Sequence, residues 1–577
     1  MSGGRAKLAS VGVAVALLVS LLSVTAAAAA TTQDPDVADI PIGKRGGTLR
    51  YSSFGSGPKT FNYYLAKETS STDVLGRVFE GLVTADGRTT EIIPALAKKW
   101  EYSEDGLVWT FYLRRGVQWH DGQELTADDV IFSYDLVYDQ NIPNNFRFGL
   151  TIDGKPLKYE KVDQYTVRFT LPRIYAPLLR SIGVPIMPRH LLYDAWKAGK
   201  FNEMWGIDTD PKKIVGTGPF RIVEYVPAQR IVYERNPNYW RLDKAGTQLP
   251  YLDRLEETIV ESQDVELLKF RAGEIDYLAP DRRYVADLQM EAASKGFRLI
   301  NGGPTFGSEF IVFNQNPNTI KQPKLSWFTN KLFRQAVAYA VDKESIIDLA
   351  FAGLAQPQWS PIGPAAKVFH KPDVKQYPYD LKKAQELLAE AGFRRGADGR
   401  LRDADGNLVE FDLLTNAGNR ARETIGSLLK EDLTRLGIKV NFQPIDFNVL
   451  VRKLTETYDW DAIIIGLTGG PEPATGRNVW MSNGGLHMWY PGQKQPATAW
   501  EARIDFLFEE ATKYLDNDVR RKYYNEFQDL VADQLPLIYT VNPEAWYAVY
   551  NYVKNAQPTA FARGLLYQVD ELWIDRR

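Results

Sequence analysis

Between Leu408 and Pro444 the chain runs strand, helix, strand with short joints, and this stretch constrains the fold more than any other. Val409–Thr415 reads as a strand, Arg420–Leu436 as a helix stopped by Gly437, and Ile438–Pro444 as a second strand. A βαβ unit returns the chain in the same direction, so the second half is expected to hold a parallel sheet. Asp461–Leu467 (DAIIIGL) adds a buried strand that runs into the Gly- and Pro-rich stretch Thr468–Pro473. Loops leaving the C-terminal ends of such strands are where α/β proteins place ligands.

Elsewhere the pattern is mixed α and β. The turn signal Glu104-Asp105-Gly106 precedes the β-rich run Val108–Leu113, one arm of a hairpin. Thr126 with Asp129 three residues on predicts a capping box opening a helix. Phe220–Val226 and Arg230–Arg235 read as a second hairpin around Pro227-Ala228-Gln229. Leu332, Phe333, Val337, Ala340 and Val341 fall at helical spacing and predict one long helix over Asn330–Ala352. Asp380 is placed to cap a further helix through Leu388 that Gly392 ends.

The first thirty residues differ from the rest. Arg5 and Lys7 precede an apolar run from Leu8 to Val24, which passes into Ala26–Ala30. This order predicts a secretory signal peptide over residues 1–30, cut after Ala30, with an uncleaved membrane anchor as the alternative. Loss of Arg5 and Lys7 takes the formal charge from −3 to −5. No 18-residue apolar run follows, so a soluble mature chain is expected. The 577 residues contain no cysteine, which excludes thiol nucleophiles, disulfides, Cys-ligated metal and a lipidated bacterial anchor. With 69 basic and 72 acidic side chains, no electrostatic footprint for nucleic acid exists.

Motifs for catalysis are weak. Gly149-x-x-x-x-Gly154-Lys155 lacks the Ser/Thr of a phosphate loop, since Pro156 follows, and reads as an ordinary turn. His120, His190, His370 and His487 are widely spaced, none in H-E-x-x-H, and no G-x-S-x-G elbow occurs. No cofactor, metal site or catalytic residue is therefore expected. Aromatic residues crowd one glycine-rich stretch, Trp480 to Tyr490, and Trp359 sits between Pro357 and Pro361. Aromatic faces bury large areas at low entropic cost, so they serve ligand sites and cores alike.

Several ordered blocks resemble the extracellular solute-binding protein family 5, the large peptide-type receptors of ABC importers. They are Gly46–Val83, Ile92–Asp135 (IIPALAKKWEYSEDGLVWTFYLRRGVQWHDGQELTADDVIFSYD), Gly216–Tyr225, Glu234–Trp240, Phe270–Leu278 and Phe333–Ile347. The resemblance implies an α/β, periplasmic binding protein-like fold of type II in its large three-domain form, with two lobes joined by a two-strand hinge. Domain I would take residues 41–84, 189–305 and 540–577, and domain II residues 85–188, both in lobe 1. Domain III would take residues 306–539 as lobe 2, with crossovers near Gly302–Phe306 and Leu537–Val541 as the hinge.

The implied function is a periplasmic receptor that captures a peptide or peptide-like solute between closing lobes and hands it to permease subunits. It would be a monomer and not an enzyme. An oligosaccharide receptor on the same fold is the near alternative, and a secreted hydrolase with a two-lobed cleft is the alternative of another class. By the resemblance, ligand contacts fall on Lys67, Glu68 and Thr69 before the FEGL block, and on the loop Thr468, Gly469, Gly470 and Glu472. The family's ammonium-binding aspartate is replaced by Thr468 or Gly469, which makes Glu472 the nearest substitute acid. Trp359, Trp480 and Trp489 complete the expected set, the last two suited to stacking on a sugar.

Overall fold

The computed structural model describes residues 34–575 apart from Ala562. The expected signal peptide lies outside the described residues. The fold is built on four main sheets. In the first, Thr48–Phe54 pairs in parallel with Arg254–Val260, which pairs antiparallel with Arg230–Arg235 and through it with Phe220–Val226. The second is an antiparallel sheet in the order Ala97–Tyr102, Val108–Leu113, Thr166–Thr170, Lys158–Asp163. Helix Ala127–Tyr138 packs on it, and the Thr126–Asp129 capping box is present in full. Both expected hairpins therefore form where the turn chemistry placed them.

The third sheet sets Val541–Tyr550 between Tyr277–Leu278 and Phe297–Pro304, all antiparallel. The first three residues of Val541–Tyr550 pair instead with Ala355–Pro357. The fourth sheet has five strands in the order Lys439–Ile445, Glu410–Asn416, Ala462–Leu467, Ser308–Phe313, Leu537–Tyr539. Its first three strands are parallel, joined by helix Arg420–Arg435 as the βαβ unit predicts, and the last two are antiparallel additions.

Ala462–Leu467 is central, so both of its faces are covered. Ile463, Ile464 and Ile465 are buried, and full burial of such side chains contributes roughly 1.5–3 kcal/mol each. A run apolar on both faces, without alternation, is what a covered parallel strand requires. Burial divides by chain position. One core draws on residues from Ala38 to Tyr277 together with Ala545–Leu572. The buried members of two further cores lie between Phe306 and Val541.

One element differs from expectation. Asn330–Ala352 is two helices, Lys331–Tyr339 and Lys343–Phe351. Asp342 accepts from the Ser345 N–H at 3.0 Å and the Ser345 hydroxyl at 2.7 Å, and this cap starts a second helix instead of continuing the first. The apolar spacing runs through the break because both helices face the same core.

Candidate functional site

Two adjoining cavities open where the C-terminal ends of the parallel strands meet the rest of the chain. The larger, about 470 Å³, is walled on one side by Lys67–Thr69, Asp281 and Arg282, and on the other by Glu309, Arg422 and Gly466–Thr468. The smaller, about 270 Å³, shares Ser308, Leu467, Thr468 and Leu486 with it and continues along Gly469, Gly470, Glu472 and Trp480. Ion pairs bridge the rim between the two walls' segments: Lys59 to Glu456 at 3.0 Å, Arg420 to Asp264 at 2.9 Å and Arg173 to Glu509 at 2.9 Å. Ser56 also donates to Asp446. These contacts tie the two walls together across the mouth of the cleft.

The loop after Ala462–Leu467 is shaped by close approach of backbone. A Cβ on Gly466 would stand 2.5 Å from the Ser308 carbonyl oxygen, and one on Gly469 2.0 Å from that of Phe306. Gly469 also has φ +61°, a conformation that costs a side chain-bearing residue about 1 kcal/mol or more. These glycines press the loop against the strand that begins at Ser308 and so fix where Thr468 faces the cleft.

Most charges on the walls are engaged by their own neighbours. Arg422 donates to Glu309 through Nε at 2.8 Å and Nη2 at 3.1 Å, and through Nη1 to Asn416 at 2.8 Å. Asp281 takes a matching fork from Arg283, at 3.1 and 2.7 Å, and accepts the Arg283 N–H. Glu68 is buried, accepting from the Ser71 hydroxyl and, at 3.2 Å, from the Lys67 N–H. Arg282 donates through Nε to the Glu544 carbonyl at 2.8 Å. Burial holds its guanidinium below the usual arginine range, against the pull of Asp281 and Glu309.

Of the residues expected from sequence, Lys67, Glu68, Thr69 and Thr468 come together in the larger cavity, while Thr468, Gly469, Gly470, Glu472 and Trp480 line the smaller. Three readings need correction. Glu472 is not an open acid, because its carboxylate is buried, accepts from Arg520 and caps Ala474 N–H at 3.1 Å. Trp489 is a core residue at 1% exposure. Its indole Nε1 donates to the buried Glu501 at 2.9 Å, and its ring packs 5.7 Å from that of Trp480. Trp489 therefore offers a sugar no open face, and of the two only Trp480 reaches a cavity. Trp359 lines neither cavity, and its ring carries the Lys343 ammonium at 4.5 Å.

Asp281, Arg282, Glu309 and Arg422 were not singled out from sequence. For Arg422 a signal existed: it follows the C-terminal end of strand Glu410–Asn416, parallel neighbour of Ala462–Leu467. The rule that pointed to Thr468 points equally to that loop. Among the described residues no cluster of three or more His, Asp or Glu could hold a metal, and no helix is long and apolar enough to cross a membrane.

Comparison with known proteins agrees with this architecture. Residues 91–487 match the family described as bacterial extracellular solute-binding proteins, family 5. Heme-binding protein A of Haemophilus influenzae is 32% identical over 482 residues, 80% of this chain and 81% of that one. The oligopeptide-binding protein AppA of Bacillus subtilis is 26% identical over 544 residues, 92% of each chain. The AppA structure in complex with a nonapeptide superposes with a TM-score of 0.80 at 25% identity, covering 93% of this chain and all of that one. A periplasmic binding protein of Agrobacterium fabrum in complex with stachyose gives 0.80 at 24% identity, covering 94% of this chain and 86% of that one, and shares the fold.

Proposed function

Because the chain belongs to the bacterial extracellular solute-binding proteins of family 5, we propose that it is the periplasmic receptor of an ABC importer for peptides or a peptide-like solute. The observation that carries this reading is the closed cleft, walled from two separately cored parts of the chain and bridged at its rim by ion pairs. Its ligand-facing set is Lys67, Glu68, Thr69, Arg282, Thr468, Gly469 and Gly470, with the smaller cavity taking a side group of the solute. Capture is a population shift: a solute that touches both walls favours the closed state by its extra contacts there.

The lobes correspond to residues 41–305 with 540–577, and to 306–539. Domain II, 85–188, is appended to the first lobe. Support comes from the cores, since the buried members of the second and third fall between 306 and 541. The hinge is formed by Gly302–Phe306 and Leu537–Val541. Asn542 ties these crossovers, donating to the carbonyls of Thr305 at 3.1 Å and Gly307 at 2.7 Å. The receptor acts as a monomer, exported by its leader, and delivers the solute to permease subunits without a covalent step. In favour of binding over hydrolysis, Glu309 and Asp281 are both held in arginine forks, leaving neither free as an acid or base.

A thermal-shift panel of di- to hexapeptides and oligosaccharides tests the reading. A bound peptide at a hundredfold excess over Kd stabilises by about 2.7 kcal/mol, an easily measured rise in Tm. Stabilisation by oligosaccharides alone would transfer the receptor to sugars. Turnover of any added substrate would end the receptor reading.

A further inference from the structure

The charges around the larger cavity do not balance locally. Glu309 is taken by Arg422 and Asp281 by Arg283, both in bidentate forks, and Glu68 is turned onto its own helix start. Two cations on the opposite account have no such partner. Lys67 is half-buried, and its ammonium makes no ion pair or hydrogen bond among the described residues. Arg282 is half-buried, spends Nε on a backbone carbonyl, and has no carboxylate within ion-pair distance among the described residues. Asp281, Glu309 and Glu544 reach it only by longer-range attraction. A cation withdrawn from water and left unpaired is unfavourable, and an anion brought into the same cleft relieves that cost.

We propose, building on the receptor reading, that the solute is an acid whose anionic group is held by Arg282 and Lys67, and that no free ammonium is needed for binding. A guanidinium has two Nη groups in a planar fork suited to a carboxylate, while the lysine adds a point charge from the neighbouring segment. A carboxylate-bearing, amino-blocked peptide or similar organic acid meets this arrangement. A neutral sugar leaves both cations unpaired.

Calorimetry on the full mature chain with four dipeptide probes tests this: free acid, N-acetylated acid, free-amino amide and N-acetylated amide. The N-acetylated acid is expected to bind within about threefold of the free acid. Each C-terminal amide is expected to bind at least tenfold more weakly than its acid, a difference of about 1.4 kcal/mol. R282Q is expected to erase the preference for acid over amide, and R282K to restore part of it. Thermal melts of both variants show whether they fold, and the wild-type comparison stands without them. Equal binding of acids and amides overturns the anion site, and a tenfold loss on acetylation overturns the dispensable ammonium, each while leaving a peptide receptor. Failure of all four probes to bind overturns both.

Discussion

The two walls of the cleft treat charge differently. On the wall from residues 306–539, charged groups are completed by the fold: Arg422 with Glu309, and, one layer behind, Arg520 with Glu472. On the wall from the first part of the chain, Lys67 and Arg282 face the same space with no acid in contact. The first arrangement holds a shape before any ligand arrives. The second leaves an interaction to be made on binding, which is where the proposed selectivity for an acid resides.

Substitutions on the paired wall are the strongest way to break that contrast. E472Q removes the partner of a buried arginine, and loss of one member of a buried pair typically costs about 3–5 kcal/mol. Urea unfolding is expected to show a loss of that size, with peptide affinity of the folded variant within about twofold of wild type. A large affinity loss without a stability loss would make Glu472 a ligand group after all.

Glu501, behind the same wall, sharpens the picture through pH. Burial raises its pKa, but donation from Trp489 and Thr498, with the His487 ring 3.7 Å away, outweighs this and holds it at about 2. A carboxyl depressed on folding contributes stability that is full above its unfolded value near 4.5 and is lost as pH falls towards 2. The contribution at neutral pH is about 3 kcal/mol. E501Q is expected to lose that much at pH 7 and to show a flatter decline between pH 4.5 and 2 in denaturant titrations.

Next in size, E309Q releases Arg422 into the cleft and converts part of the finished wall into an unfinished one. Stability is expected to fall by about 1–3 kcal/mol, since the bonds lost are to a charged group. Affinity for acid probes is expected to rise severalfold in calorimetry. An unchanged acid preference would show that Arg422 stays engaged by Asn416. The rim pairs are smallest: K59M and R420M are each expected to change stability by less than about 1 kcal/mol. Their mark is in binding, a roughly two- to threefold weakening at low salt that disappears in high salt.

Local chemistry made much of the fold legible. Thr126 with Asp129, the turn at Glu104–Gly106 and the βαβ joint at Gly437 act within a few residues, and each forms as expected. Asp342 also acts locally, but its cap with Ser345 competes with an apolar spacing that continues on both sides, and the spacing hid the break. The site was legible only where one strand end announced it. Arg422 and Glu309 lie 113 residues apart, and Arg520 and Glu472 48 apart. Nothing near Glu472 in sequence reveals that an arginine at the start of helix Asn517–Gln534 will claim its carboxylate. The tryptophans misled for the same reason: an indole's partner, here Glu501, decides whether its face is open.

Strand Val541–Tyr550 has a consequence in time. It lies close to the end of the chain, yet it is the middle strand between Tyr277–Leu278 and Phe297–Pro304, and residues 545–572 enter a core begun at Ala38. A chain delivered from its N-terminus therefore carries its first lobe unfinished until nearly the last residue emerges, whereas the 306–539 part can complete its five-stranded sheet as soon as Leu537–Tyr539 is available. Pairings this distant form slowly, because loop closure precedes their reward. The 306–539 part is thus expected to fold first, with the proposed binding cleft completed as the last step of assembly.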